Sequence, residues 1–156
     1  MKYKNKIEKK IKKFDPNAEL ILAGSYLTKK KVANDIDLII TTNKSSKSLS
    51  NFLLDSGIAI EIINQGKHSI MYVSNDKKHV DIKPINKKLL PFYLIYFGSG
   101  EIFAREIRLA AKKMGYKLSQ YGLFDRKSGK IIMNSAKDQA EIFEKLEMKY
   151  VKPENR

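Results

Sequence analysis

The order of apolar and polar residues along the chain predicts helices and strands in one small protein. Residues 2–13, with Ile7, Ile11 and Phe14 at spacings of four and three, have the pattern of an amphipathic helix with a basic exposed face. The turn residues that follow end this helix, and residues 19–23 then predict a first strand.

A second strand is predicted next, and the pattern of apolar and polar residues changes at Pro91. Residues 38–40 are apolar on both faces, as in a strand at the centre of a sheet. A helix is predicted at 47–56, ended by Gly57, and beyond Pro91 the pattern becomes mainly helical. The remaining predicted elements are strands at 58–64, 69–74 and 79–85, helices at 91–115 and 136–147, and a hairpin at 116–133.

Two carboxylates precede the central strand. Asp35 and Asp37 are two residues apart, so in a strand their side chains project from the same face. Like charges at this spacing repel each other and are costly to desolvate, and a divalent cation removes that cost. Oxygen ligands suit Mg²⁺ or Mn²⁺ better than zinc. Taken alone, the pair is explained more simply as an ordinary strand end in solvent.

A glycine and a serine upstream change this interpretation. Gly24 lets the backbone approach a ligand closely, and Ser25 offers a hydroxyl and an N–H at a predicted helix start, which together suit a phosphate. A phosphate site beside a two-carboxylate site is what nucleotidyl transfer by two metal ions requires.

A third acid is predicted to join the pair. In the strand at 79–85, Val80 and Ile82 face one way while Asp81 and Lys83 face the other. Asp81 is a candidate third ligand if this strand lies next to the first pair. The alternative is that Asp81 is an ordinary edge residue.

Composition and charge indicate the cellular location of the protein and the kind of partner it binds. The 156 residues include no cysteine, and His68 and His79 are too few for a zinc site. No apolar run approaches the roughly 18 residues of a membrane span, and the N-terminus lacks a signal-peptide core, so we expect an intracellular protein without membrane contact. The net charge of +14 favours a polyanionic partner, although a lysine-rich surface can also serve only solubility.

These motifs resemble those of the nucleotidyltransferase superfamily and, within it, of the X family of DNA polymerases, especially its minimal viral members with only palm and thumb. The matching segments beyond Gly24-Ser25 and Asp35-x-Asp37 are Val80–Ile82, Tyr96–Phe103, Arg108, Gly115–Leu118, Gln120–Phe124 and Lys149–Arg156. The resemblance implies an α+β fold: a palm at residues 1–90, with a mixed β-sheet and helices on one face, and a small thumb at residues 91–156 resembling a helix-hairpin-helix. We expect no lyase domain.

The resemblance also implies roles for the candidate residues. Asp35, Asp37 and Asp81 would be the catalytic and metal-binding triad for two Mg²⁺ ions, with Mn²⁺ as a substitute. Backbone crowding near the sugar of the nucleotide would exclude a 2′-hydroxyl. The implied nucleotide-binding residues are Gly24, Ser25, Lys29, Tyr96, Phe97, Gly98, Ser99 and Gly100, and the implied DNA-binding residues are Arg105, Arg108, Lys112 and Tyr121.

One departure concerns the triphosphate. The family places an arginine three or four residues after the Gly-Ser, where this chain has Leu27 and Thr28. Lys29, Lys30 or Lys31 is the candidate replacement, but a lysine provides a point charge instead of a planar fork.

The leading hypothesis is a template-dependent DNA polymerase that fills short gaps in repair. It would act on gapped or primed DNA with dNTPs as a monomer in the cytoplasm or nucleus; a viral origin and association with a virion are compatible with the resemblance. The alternatives are another minimal nucleotidyltransferase, such as a small-molecule or protein adenylyltransferase, and a non-catalytic basic module that binds nucleic acid.

Overall fold

The computed structural model of the protein describes residues 2–24 and 35–156. These residues form two compact units, which comprise residues 2–24 with 35–87 and residues 88–156. Among the described helices, none combines the length and the apolar character that crossing a bilayer requires.

The first unit is built on a mixed sheet. The order of its five described strands is β1-β2-β5-β4-β3, in which β2 and β5 are parallel and the other neighbours are antiparallel. A parallel pair needs a long crossover, and here that crossover contains a helix and two further strands of the same sheet. The strands are β1 (Glu19–Leu22), β2 (Asp35–Thr41), β3 (Ala59–Gln65), β4 (Ile70–Ser74) and β5 (His79–Ile85).

Two helices cover one face of this sheet. They are α1 (Lys2–Phe14) and α2 (Ser46–Asp55), and the Ser45 side chain caps α2 by accepting a hydrogen bond from the Ser48 N–H. Both pack on the sheet side chains that include Ile36, Leu38 and Ile40 of β2. Because side chains alternate along a strand, burial of these residues turns the acidic side chains of β2 to the uncovered face.

The second unit contains three helices and a three-stranded antiparallel sheet, with strand order β6-β7-β8. Its core includes Phe92, Ile107, Leu123 and Phe143. The elements are α3 (Leu90–Gly98), α4 (Glu101–Lys113), β6 (Tyr116–Ser119), β7 (Gly122–Asp125), β8 (Ile131–Met133) and α5 (Gln139–Lys145).

The second unit differs from the sequence-based expectation in three places. The single helix predicted at 91–115 is two helices, because Ser99 and Gly100 have extended backbone conformations. The hairpin predicted at 116–133 is a three-stranded meander. The last helix is shorter than predicted, since the Asp138 side chain caps its start by accepting from the Glu141 N–H. The predicted α+β class is confirmed.

Candidate active site

The parallel pairing of β2 with β5 brings the candidate acids together. In this register Asp37 lies opposite Asp81, and Asp35 lies opposite His79. Asp35 and Asp37 are two residues apart, and so are His79 and Asp81, so all four side chains belong to the face of the sheet that α1 and α2 leave uncovered. Two strands that are distant in sequence therefore combine their carboxylates at one place.

A lysine lies among these carboxylates. Lys83 Nζ donates a hydrogen bond of 2.6 Å to Asp81 Oδ2 and is 3.9 Å from Asp37 Oδ1. The residue is buried, and its side chain is 11% exposed. The ammonium is held between two of the three candidate acids, as a tethered cation would be.

The other carboxylate oxygen of Asp81 also has a protein partner. Ser69 Oγ donates a hydrogen bond of 2.6 Å to Asp81 Oδ1 from the loop that precedes β4. The Asp81 carboxylate is thus held from two sides, by Ser69 and by Lys83. Sequence reasoning did not assign either residue to the site; the signal for Lys83 was its position two residues after Asp81 on the same strand face.

The half-buried Asp37 carboxylate lies in a surrounding that disfavours its charge. Burial raises its pKa, because the ionised form loses hydration, and the neighbouring Asp81 and Asp35 raise it further. Lys83 opposes these effects, but burial and the like charges outweigh it. Among the described residues, Lys83 forms ion pairs with Asp37 and Asp81 of this acidic face.

The Gly24 backbone lies close to the side chain of Asp37. Its φ is +66°, a left-handed conformation that favours glycine, and an added Cβ would lie 2.3 Å from Asp37 Oδ2. The Ala23 N–H donates a 2.9 Å hydrogen bond to the backbone carbonyl of Asp37, which fixes this approach. The predicted Ser25 and Lys29 lie outside the described residues.

The donor chemistry fits a hard divalent cation. Carboxylate oxygens are the ligands that Mg²⁺ and Mn²⁺ prefer, and Asp35, Asp37 and Asp81 supply them on one face. Over residues 2–24 and 35–156, no three acidic or histidine side chains are already gathered around one point as a metal cage. The ammonium of Lys83 contacts oxygens of Asp37 and Asp81, which are candidate ligands for an ion.

In the second unit, some of the predicted nucleotide- and DNA-binding residues share one cleft. Its volume is about 720 Å³, and Tyr96, Arg108 and Tyr121 line it. The Arg108 guanidinium lies 5.7 Å from the centroid of the Tyr96 ring, and its Nε donates to the Ala104 carbonyl oxygen at 3.0 Å. These contacts orient Arg108 along the cleft. Sequence reasoning did not assign three further lining residues to the site, namely Lys117, Phe124 and Arg126.

The other predicted residues of this unit lie outside that lining. Arg105 is exposed on α4 and forms a 3.6 Å ion pair with Glu101, and Lys112 is exposed in the last turn of the same helix. The Phe97 ring is 4.9 Å from that of Tyr96, so these two aromatic residues support each other at the end of α3. Gly98 is the last residue of α3, and Ser99 and Gly100 connect this helix to α4.

A mixed sheet with helices on one face and acids from two parallel strands on the other is the arrangement of a nucleotidyl-transferring enzyme. The chain belongs to the nucleotidyltransferase domain family, whose model matches residues 4–113. The model of the DNA polymerase beta thumb matches residues 93–156, which lie within the second unit. The two matches together span nearly the whole chain.

Curated relatives confirm the predicted resemblance to X-family repair polymerases. The chain is 26% identical over 144 residues to the Repair DNA polymerase X of African swine fever virus isolate Pig/Kenya/KEN-50/1950. It is 25% identical over 142 residues to the protein of the same name from isolate Tick/Malawi/Lil 20-1/1983. Each alignment covers 88% of this chain and 80% of the relative. The protein is therefore a nucleotidyltransferase that is homologous to X-family repair DNA polymerases.

Proposed function

We propose that this protein is a DNA-directed DNA polymerase that adds dNMP from dNTP to a primer 3′-hydroxyl in short gaps. The observation that carries the proposal is the register of β2 with β5, which places Asp37 opposite Asp81 and Asp35 on the same face. The family matches support this proposal, because the chain combines a nucleotidyltransferase domain with a polymerase beta thumb sequence.

Each acid has a distinct part in the proposal. Asp35 and Asp37 would hold both of two Mg²⁺ ions, and Asp81 would hold the one nearest the primer terminus. When bound, the ions activate the attacking hydroxyl and neutralise the leaving pyrophosphate. Asp81 is also the candidate to orient the proton of the 3′-hydroxyl. The hydrogen bond from Ser69 supports that role, because it fixes one oxygen of this carboxylate.

The second unit supplies surfaces for nucleotide and template. We propose that Tyr96 and Phe97 pack against the sugar of the incoming nucleotide and that Arg108 contacts the template strand. The alignment of Arg108 over Tyr96 supports this, because an arginine fork and an aromatic face in one cleft suit a nucleic acid strand. Arg105 and Lys112 would add contacts to the phosphate backbone.

The net charge of the chain supports DNA as its partner. A net charge of +14 suits binding to the DNA backbone, with affinity that falls steeply as salt rises. We propose a palm at residues 1–90 and a thumb at 91–156 that act as a monomer inside cells, with Gly24, Ser25 and Lys29 contacting the triphosphate.

The test is primer extension on DNA with a one-nucleotide gap, with Mg²⁺ and each dNTP supplied singly. We expect addition of the nucleotide complementary to the template base, and loss of all addition when EDTA removes the metal. Extension that ignores the template base, or transfer of AMP from ATP without DNA, would contradict the proposal. The second of these results would indicate an adenylyltransferase instead.

The tethered ammonium of Lys83 leads to a prediction about metal affinity. Lys83→Gln removes the cation that competes for the oxygens of Asp37 and Asp81, so we expect Mn²⁺ to bind about tenfold more tightly. Titration of the protein with Mn²⁺, followed by electron paramagnetic resonance of the free ion, measures this without any catalytic step.

The matched control is Lys47→Gln, which removes the same charge from an exposed position on α2, on the covered side of the sheet. This control separates a local effect from the overall change in net charge. Equal or weaker Mn²⁺ binding by Lys83→Gln, relative to Lys47→Gln, would show that the ammonium helps to organise the acids and does not compete with an ion.

A further inference from the structure

Arg156 lies in a box of aromatic rings within the second unit. Its Cζ is 5.1 Å from the ring centroid of Phe143, 5.4 Å from that of Phe103 and 5.8 Å from that of Tyr150. All three distances are within the range of a cation–π contact. Burial lowers the pKa of the guanidinium, because its charged form loses hydration there. The cation–π contacts with the three rings offset part of that loss of hydration.

The guanidinium makes two hydrogen bonds in directions set by its planar fork. Nε donates to the Val151 carbonyl oxygen at 2.9 Å, and Nη1 donates to Ser99 Oγ at 3.1 Å. The first bond anchors the guanidinium to its own segment of chain. The second therefore points in a fixed direction, which a flexible lysine ammonium would not reproduce.

The target of the second bond is the joint between α3 and α4. Ser99 and Gly100 are the two extended residues that separate these helices. Gly100 also packs against Arg156, because an added Cβ there would lie 3.3 Å from the Arg156 carbonyl oxygen. One residue therefore contacts both members of the joint, with its side chain at Ser99 and its backbone at Gly100.

The joint connects two chain segments to which the proposed function assigns substrate contacts. α3 ends in Tyr96, Phe97 and Gly98, and α4 carries Arg108 about two turns further on. The Gly100 carbonyl accepts the first backbone hydrogen bond of α4, from the Ala104 N–H at 2.9 Å. A shift at the joint must therefore move the end of one helix relative to the start of the other.

We infer that Arg156 is a positioning residue that holds the Ser99–Gly100 joint and thereby sets how closely the Tyr96–Gly98 backbone meets the sugar of the incoming nucleotide. The inference rests on the proposed function, which assigns that segment to the sugar. Arg156 acts through Ser99 and does not itself touch the nucleotide. A fixed joint keeps the backbone close enough to exclude a 2′-hydroxyl, whereas a loosened joint admits ribonucleotides.

The test compares Arg156→Gln with Ser99→Ala. For both we expect the ratio of kcat/KM for dNTP to that for rNTP to fall, by about tenfold for Arg156→Gln. We expect less than a twofold change in KM for gapped DNA. Arg156→Lys keeps the charge without the fork and should restore only part of the ratio. The double variant should be no worse than Arg156→Gln, because the two residues act through one bond.

A second readout does not need activity. Amide hydrogen exchange over residues 96–103 should become faster in Arg156→Gln and Ser99→Ala, because the joint loses its tether. The matched control is Lys152→Gln, which removes one charge from the same terminal segment at an exposed position and should leave exchange and sugar selectivity unchanged. If Arg156→Gln does not fold, Ser99→Ala carries both measurements.

The outcomes separate this inference from the proposed function. The role of Arg156 is overturned, and the proposed function is not, if Ser99→Ala leaves amide hydrogen exchange and sugar selectivity unchanged while the wild-type protein extends normally. Failure of the wild-type protein to extend any gapped primer overturns the proposed function and the sugar-selecting role with it. In that case faster exchange in the variants would still show that Arg156 holds the joint.

Discussion

Asp37→Asn is expected to lower primer extension by about a thousandfold or more while leaving the protein folded. The substitution keeps the size of the side chain but removes the charge that would hold the metal ions and, through them, the reacting phosphate. Because burial and the neighbouring acids raise the pKa of Asp37, the folded state favours a neutral side chain at this position. We therefore expect an unchanged or higher thermal midpoint together with the loss of activity. Single-turnover extension and thermal unfolding measure the two effects.

The control for this variant is Asp55→Asn. Asp55 is exposed at the end of α2, on the side of the sheet opposite the acids, so the same chemical change is made away from the site. Its extension rate should stay within about twofold of wild type, since surface substitutions have small effects. DNA affinity should not fall in either variant, because removing a negative charge does not weaken attraction to phosphates. A rate for Asp37→Asn within tenfold of wild type would contradict the assigned role.

Gly24→Ala is expected to reduce extension at least a hundredfold, although residue 24 carries no reactive group. A Cβ at this position would lie 2.3 Å from Asp37 Oδ2 and 3.0 Å from its Cγ, so the carboxylate or the backbone must move. A displacement of about 1 Å at a reacting centre costs about a hundredfold in rate. The positive φ of +66° adds a backbone cost of about 1–2 kcal/mol in the free energy of unfolding. Extension kinetics and urea unfolding measure the two consequences separately.

Gly57→Ala is a matched control within the same unit. Gly57 has a φ of +71°, so alanine incurs a similar backbone cost there, but an added Cβ would meet nothing within 4 Å. We expect comparable destabilisation in urea and nearly wild-type extension. If both alanine variants lost the same activity, general destabilisation, and not the contact with Asp37, would explain the loss.

Much of the first unit follows from local sequence patterns. The spacing of Ile7 and Ile11 predicts α1, and both are buried in its core. Residues 38–40, which are apolar on both faces, predict a central strand, and β2 lies between β1 and β5 in the sheet. Such patterns are predictive because helix and strand periods are properties of the local backbone.

The break at Ser99 and Gly100 was not predictable from periodicity. Residues 90–98 are apolar throughout, so they carry no periodic signal that would separate them from the amphipathic α4. The Gly98-Ser99-Gly100 sequence is a local signal for a break that the prediction of a single helix did not use. The structure contains extended residues there, and Arg156, distant in sequence, packs against both. The contact of Arg156 with this joint depends on the packing of the whole unit, and no short window of sequence contains it.

The sequence alone determined the chemistry available to this protein: a Gly-Ser pair, an Asp-x-Asp pair, an isolated Asp81, a large excess of lysine and the order of motifs that identifies the family. It did so because residue type and short spacing define which groups share a strand face. Only the tertiary structure decided which groups meet. Three features depend on pairing between distant segments: the parallel register of Asp37 with Asp81, the ammonium of Lys83 between them and the close approach of Gly24. The free energy of that pairing comes from burying the common core and not from any local preference.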